Sequence, residues 1–476
     1  MTQQCPHRTL QVEPSAYAHE VGFEWQSPTQ RLAATTRSGR VPILSGASIG
    51  GSSSGGGRRR EGADEPVVTQ VAKDLLASFP GPLVLPTDEL AWDPGYEPQS
   101  FQSWSRDKTR NRPTAARKTL YVAAVPEITE EVGFMREWLR PQSPGAACSY
   151  PELKSPDLDD YVAYLGAFYH GFIVKPFPQK LRFVSWDQRD RSGKFQYVGL
   201  ATEDGNCTRI RARTAPDKVF SKQLNLADVL DAEISMLPKD AYAMALLVDH
   251  DLYEDEEDDF CCGRAYGLNR VCVVSTARYH PILDDGAKLD LEHVWPASHC
   301  KAFVNGQCAE ADVHRGTRAV AVSAKSPMRA AIQAASQIRH DENMSSSSAV
   351  AAAYLRTLWF SRLVRTVSHE LGHNLYLDHC VYYACMMQST TGMAEDLRQP
   401  PYLCPVCLAK IVHKVVVELQ RGDGENTAKK DAYILERYEA LAQVCERWKE
   451  VGLFVGFQVW LRSRIELVRN ERNQNS

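Results

Sequence analysis

The segment SHELGHNLYLDHCVYYACMM, residues 368–387, decides how this chain is read. His369 and His373 stand four apart, so at about 100° per residue their imidazoles lie about 40° apart on one helical face, one turn removed. Two such rings can grip one cation. Glu370 points to the neighbouring face, where its carboxylate can reach a metal-bound water rather than the metal, as the general base of a metalloprotease does. The helix itself is predicted from upstream. In AVAAAYLRTLWFSRLVRTVSHELGHNL, Leu355, Trp359, Leu363, Val367 and Leu371 recur every four residues, an apolar stripe that should enter the core. The serine run 345–348 could cap it.

A catalytic zinc takes three protein ligands and keeps a fourth position open for water. His379 is the candidate third ligand. A helix continued to that residue would rotate it about 120° away from His373, so the chain must turn sharply between them. Tyr376 in a left-handed conformation would cost about 1–2 kcal/mol, against about 10 kcal/mol or more for a zinc site. Asn374 and Asp378 are alternatives for that angle, because their types tolerate it. Glu395, in GMAEDLRQ, is a rival third ligand.

The cysteines that follow form a second unit. Cys380 and Cys385 make one pair and Cys404 and Cys407 another, with the short internal spacings of a closed four-cysteine zinc site. Such a site has no open position, so it should fold the loop rather than do chemistry. Met387 falls where a methionine can floor the catalytic histidines; without a metal there it is core.

Composition sets the frame around this motif. The chain has 476 residues, 43% hydrophobic and 24% charged, enough for one large or two modest domains. A net charge of −4 and a pI near 6.4 supply no basic field for nucleic acid or an anionic membrane. Peptides, proteins or small molecules are the expected partners. The N-terminus lacks the apolar core of a secretory signal, and no stretch approaches the roughly 18 apolar residues that cross a bilayer. Cytoplasm or nucleus is the expected location. There, 13 cysteines, several beside histidines, favour metal ligation over disulfides.

Residues 1–79, with the Gly/Ser run GASIGGSSSGGG and the triplet Arg58 to Arg60, read as a largely disordered segment. GPLVLPTDELAWDPGYEPQSFQSW, from residue 81, suggests an extended stretch on a domain surface. KTLYVAAVPEI (118–128), KLRFVSW, FQYVGLAT, AYAMALLVD and GLNRVCVVSTARY are predicted strands, and DYVAYLGAFYHGF (160–172) a helix. That alternation implies a mixed α/β domain over residues 80–425. The acidic run 249–260 and residues 286–318 read as loops. The latter carries His293, His299, Cys300, Cys308 and His314, whose irregular spacing favours a surface loop over a metal site. Residues 426–476 read as a C-terminal helical extension.

The run His369, Glu370, His373, His379, Cys380, Cys385, Met387, Cys404, Cys407 resembles the archaemetzincins, whose signature is H-E-x-x-H-x-x-G-x-x-H-C-x4-C-x-M followed by C-x-x-C. Every element is present except the glycine, replaced by Tyr376. Segments from GPLVLPTDELAW to ILERYEALAQ are similar to the family in the same order. The resemblance implies a zincin-like metzincin fold of the α/β (α+β) class: a twisted mixed sheet beside an active-site helix, a Met-turn at Met387 and a four-cysteine subsite. It also implies a zinc metallopeptidase with two Zn2+ per chain, one catalytic and one structural, acting on peptides in an aminopeptidase-like way. Water attacks the carbonyl, with Glu370 as base, on a substrate docked at the sheet edge formed by residues 262–275. The alternative is a zinc-stabilised binding protein without activity, in which Tyr376 misplaces His379.

Overall fold

The computed structural model describes residues 9–41, 74–142, 153–186, 196–313, 325–338, 348–422 and 426–475, with positions 7, 71, 323, 340 and 344. The Gly/Ser run, Arg58 to Arg60, Ser345 to Ser347 and His314 lie outside them.

Among the described residues, eleven strands follow in chain order: β1 Thr119–Ala123, β2 Glu127–Ile128, β3 Ile173–Pro176, β4 Arg182–Val184, β5 Gln196–Ala201, β6 Cys207–Thr214, β7 Lys222–Asn225, β8 Ala241–Val248, β9 Leu252–Tyr253, β10 Gly263–Tyr266 and β11 Val271–Ser275. They build a five-stranded sheet of order β10-β11-β8-β1-β3 and a six-stranded sheet of order β2-β4-β5-β6-β7-β9. In the first, β3, β1, β8 and β11 run parallel and β10 closes one edge antiparallel. The architecture is mixed α/β.

Strand β8 is buried along its whole length, as a strand covered on both faces must be. Its side chains divide by the period of two. Ala243, Ala245 and Leu247 enter the larger core, and Met244, Leu246 and Val248 the smaller one, with Val229 and Leu230 of the helix Leu226–Met236 and Leu200 and Ile210 of the second sheet. The larger core is roofed by the helix Ser348–Asn374, whose predicted stripe of Leu355, Trp359, Leu363, Val367 and Leu371 is buried throughout. Two buried ion pairs lock this helix: Arg362 with Asp284 at 2.6 Å and Arg365 with Asp396 at 3.2 Å. Arg365 also donates to the carbonyls of Asp396 and Gln399.

Three expectations need correction. Residues 9–41 are folded. Leu10 and Val12 sit in the larger core, the Gln11 N–H donates to the His299 carbonyl, and Ser27 and Gln30 form a reciprocal capping box on the helix Pro28–Ala34. Local composition conceals this, because the apolar partners of Leu10 and Val12 lie hundreds of residues away. The stretch from residue 81 is no surface strap: Leu83, Val84, Leu85 and Trp104 are buried, and its far end packs on the turn between His373 and His379. The 286–318 loop carries the helix Lys301–Glu310. At the C-terminus, the helices Thr427–Cys445 and Gly452–Asn475 join the larger core through Tyr438, Leu441, Phe457 and Trp460.

Candidate active site

The long helix delivers His369, Glu370 and His373 and then stops at Asn374. The Leu377 N–H donates to the Gly372 carbonyl and the Tyr376 N–H to the His373 carbonyl, the paired bonds of a Schellman cap. That cap needs a left-handed residue, and Tyr376 supplies it with φ 67°. Neither Asn374 nor Asp378 takes that angle. The turn is held from outside. Gln99 donates to the Tyr376 carbonyl at 3.2 Å and accepts from the Asp378 N–H at 3.1 Å. Lys410 donates to both the side-chain and backbone oxygens of Gln99 at 2.7 Å. Trp104 Nε1 reaches the Leu375 carbonyl, Tyr96 donates to Asp378, and the Tyr376 hydroxyl to Thr109.

The chain therefore returns and brings His379 to the other two histidines. The ligand atoms of His369, His373 and His379 lie within 4.8 Å of one another. Tyr376 does not misplace the third ring. Glu395 does not join the group: its carboxylate accepts from the N–H groups of Glu89 and Thr391.

Hydrogen bonding fixes the tautomers of two rings. His369 Nδ1–H donates to the Met386 carbonyl and His373 Nδ1–H to the Leu377 carbonyl, each at 2.8 Å. Their Nε2 lone pairs then face each other at 3.0 Å. Only a proton or a metal cation makes that arrangement favourable. Burial excludes the proton, pushing His369 down to about 3 and His373 well below the usual imidazole range, with the neighbouring rings adding to the effect. Three neutral imidazoles around one point suit zinc.

Glu370 is buried, which pushes its carboxyl up to about 8 against the opposing pull of Arg264. It lines a cavity of about 630 Å3 with the three histidines, the β10 residues Gly263, Arg264 and Ala265, and Ser389 to Gly392. Met387 is fully buried under the helix, its sulfur against Gly372, where a Cβ would collide with it.

Beside this cavity the sulfurs of Cys380, Cys385, Cys404 and Cys407 also lie within 4.8 Å of one another, all buried. Hydrogen bonds from the other three thiols hold Cys380 well below the usual thiol range, while burial pushes Cys385 and Cys404 up. Four convergent, buried soft donors match a closed zinc site. The two clusters are joined by the peptide bond between His379 and Cys380.

The sequence reading missed Gln99, Lys410, Tyr96 and Trp104. The one signal pointing to them was Tyr376 itself, since a strained residue needs neighbours that over-determine it.

Residues 349–413 match the model of peptidase family M54. Among curated proteins, the chain is 39% identical over 82 residues to Archaemetzincin-2 of Rattus norvegicus and 38% over 82 residues to Archaemetzincin-2 of Homo sapiens, covering 17% of this chain and 19% of each relative. It is 42% identical over 57 residues to Archaemetzincin of Aeropyrum pernix, 12% of this chain and 31% of that one. The matches thus span about a fifth of the mammalian relatives. Among solved structures, archaemetzincin from Methanopyrus kandleri aligns at 14% identity over 64% of this chain and 98% of that one, with a TM-score of 0.31. A zinc-dependent peptidase from Methanocorpusculum labreanum aligns at 15% identity over 61% of this chain and 99% of that one, with a TM-score of 0.27.

Proposed function

We propose that this chain, whose residues 349–413 match the model of peptidase family M54, is an archaemetzincin-family zinc-dependent metallopeptidase that hydrolyses peptide bonds. The observation that carries the reading is the convergence of His369, His373 and His379 on one point, with Glu370 lining the same cavity. Those three imidazoles would hold the catalytic zinc. When bound, zinc lowers the pKa of a water molecule and polarises the substrate carbonyl. Glu370 accepts the proton of the attacking water and hands it to the leaving amine, and its burial holds it near neutrality, where both transfers are accessible.

Strand β10 is an edge strand, antiparallel to β11, and it lines the cavity. An extended peptide would pair with its free backbone groups and lay its scissile bond over the histidines. Met387 would be the floor of the site, the Met-turn of a metzincin. Cys380, Cys385, Cys404 and Cys407 would hold a second, structural zinc, giving two per chain. Family resemblance favours an aminopeptidase-like action on peptide or protein substrates. None of the described helices is long and apolar enough to cross a membrane, and the acidic balance argues against nucleic acid as partner.

The test is a peptide-library assay on the wild-type protein, Glu370→Gln and His373→Ala, with zinc counted in each. Expected are chelator-sensitive hydrolysis by wild type, none by Glu370→Gln despite a full metal complement, and one zinc fewer in His373→Ala. Hydrolysis that persists in Glu370→Gln removes the assigned base. Unchanged Michaelis constants after alanine substitution at Arg264 and Tyr266 remove the proposed docking strand.

A further inference from the structure

We propose that His7, His293 and Cys300 form a third metal site, for a thiophilic divalent cation such as zinc, that staples the N-terminal segment to the 286–318 loop. Their ligand atoms lie within 4.8 Å of one another. His7 lies almost three hundred positions before the other two in sequence, and the convergence depends on the folding of a segment that reads as disordered.

Three elements build the site. The N-terminal segment runs beside residues 299–301. Leu10 bridges to Cys300, the Gln11 N–H donates to the His299 carbonyl and the Lys301 N–H to the Thr9 carbonyl. Arg329 holds the His7 carbonyl. These contacts carry His7 to the sulfur of Cys300, which is 1% exposed. Cys300 is also the N-cap residue of the ten-residue helix Lys301–Glu310, which fixes its backbone.

His293 is already dressed as a ligand. Its Nδ1 meets the Asp290 carboxylate at 2.7 Å, and that carboxylate is fixed in turn by the N–H groups of Glu292 and His293. A carboxylate on Nδ1 sets the tautomer that leaves Nε2 as the donor atom, as in carboxylate–histidine–metal arrangements. Phe303 stacks on the ring at 4.4 Å and 10°, fixing its plane. His7 meets it edge-on at 5.4 Å and 81°, and His7 Nδ1 is buried with no hydrogen-bond partner among the described residues. Two imidazoles and one thiolate form a donor set suited to zinc.

Among the described residues, the loop's candidates His299 and Cys308 stay out of the group. His299 donates to or accepts from Ser298 and hydrogen bonds to the Gly81 carbonyl, and Cys308 packs with Leu83, Leu85 and Val304.

The experiment counts zinc per chain after loading with zinc alone, in the wild type, His7→Ala and His293→Ala. It also follows hydrogen exchange of the peptide spanning residues 9–12. Each variant is expected to hold one zinc fewer than wild type, and exchange at residues 9–12 to accelerate at least tenfold. In a double variant with His373→Ala the losses add, which separates this site from the catalytic one. Equal zinc in wild type and His7→Ala, with unchanged exchange, overturns the proposal. His7 lies at the end of the described chain, so His7→Ala decides the matter even if His293→Ala unfolds.

Discussion

The Gln99 side chain grips the backbone on both sides of Leu377, donating to the Tyr376 carbonyl, 277 positions further along the sequence, and accepting from the Asp378 N–H. It stands where the third histidine's position is decided. Removing it in Gln99→Ala should lower zinc affinity of the three-histidine site, or kcat/KM, by about 10–100-fold, as loss of an outer partner of a metal ligand does. Competition with a chromophoric chelator reads the first quantity. An unaltered affinity and rate would mean that the turn holds itself.

Tyr376 itself carries a left-handed backbone that glycine adopts freely. Tyr376→Gly should therefore exceed Tyr376→Ala in stability by about 1 kcal/mol in denaturant unfolding, since both lose the hydroxyl contact to Thr109 and only alanine keeps the strain. Equal midpoints would show that residue 376 bears no strain.

Gly372 and Met387 are matched in shape. A methyl group at residue 372 meets the Met387 sulfur, so Gly372→Ala should cost about 1–3 kcal/mol by overpacking. Met387→Ala should cost about 2–5 kcal/mol through the cavity it leaves. The double variant should lose less than the sum, because each change accommodates the other. Strict additivity would place the two residues out of contact.

Lys414 is buried against Tyr242 and the Asn111 carbonyl, and burial pushes its ammonium down to about 7 despite the opposing charge of Glu418. The unfolded chain therefore binds more protons between about pH 7 and the ordinary lysine value. Stability from this group rises with pH across that window, by up to about 1.4 kcal/mol per unit. Lys414→Met should flatten that rise, as measured by denaturant unfolding from pH 7 to 10. An identical slope in the variant would mean that the ammonium stays charged in the fold.

The thiol cluster begins one residue after the third histidine. Cys404→Ser should therefore remove one zinc, sensitise residues 380–407 to proteolysis and reduce hydrolysis at least tenfold, though none of the four clustered cysteines lines the catalytic cavity. Full activity in a zinc-depleted Cys404→Ser protein would uncouple the two clusters.

The sequence revealed what short-range spacing encodes. The helix under His369 and His373, the buried strands β1, β5, β8 and β11, and the grouping of the four cysteines all follow from periods of two, three or four residues. Strand β6 escaped because its half-exposed, charged pattern looks like loop, and β7 because the four residues Lys-Gln-Leu-Asn hold no apolar run although three of them are buried. Long-range pairing escaped altogether. Nothing local to GYEPQSFQSW links Gln99 to Tyr376, and nothing local to the N-terminus reveals that Leu10 and Val12 have a core to enter.

A torsion supplied by neighbours frees the side chain at its apex. Gln99, itself held by Lys410, and Trp104 bind the peptide groups around residue 376 rather than its side chain, so its identity can drift while the dihedral stays. A search pattern that makes glycine obligatory there would accordingly pass over any chain whose turn is imposed by the rest of the fold.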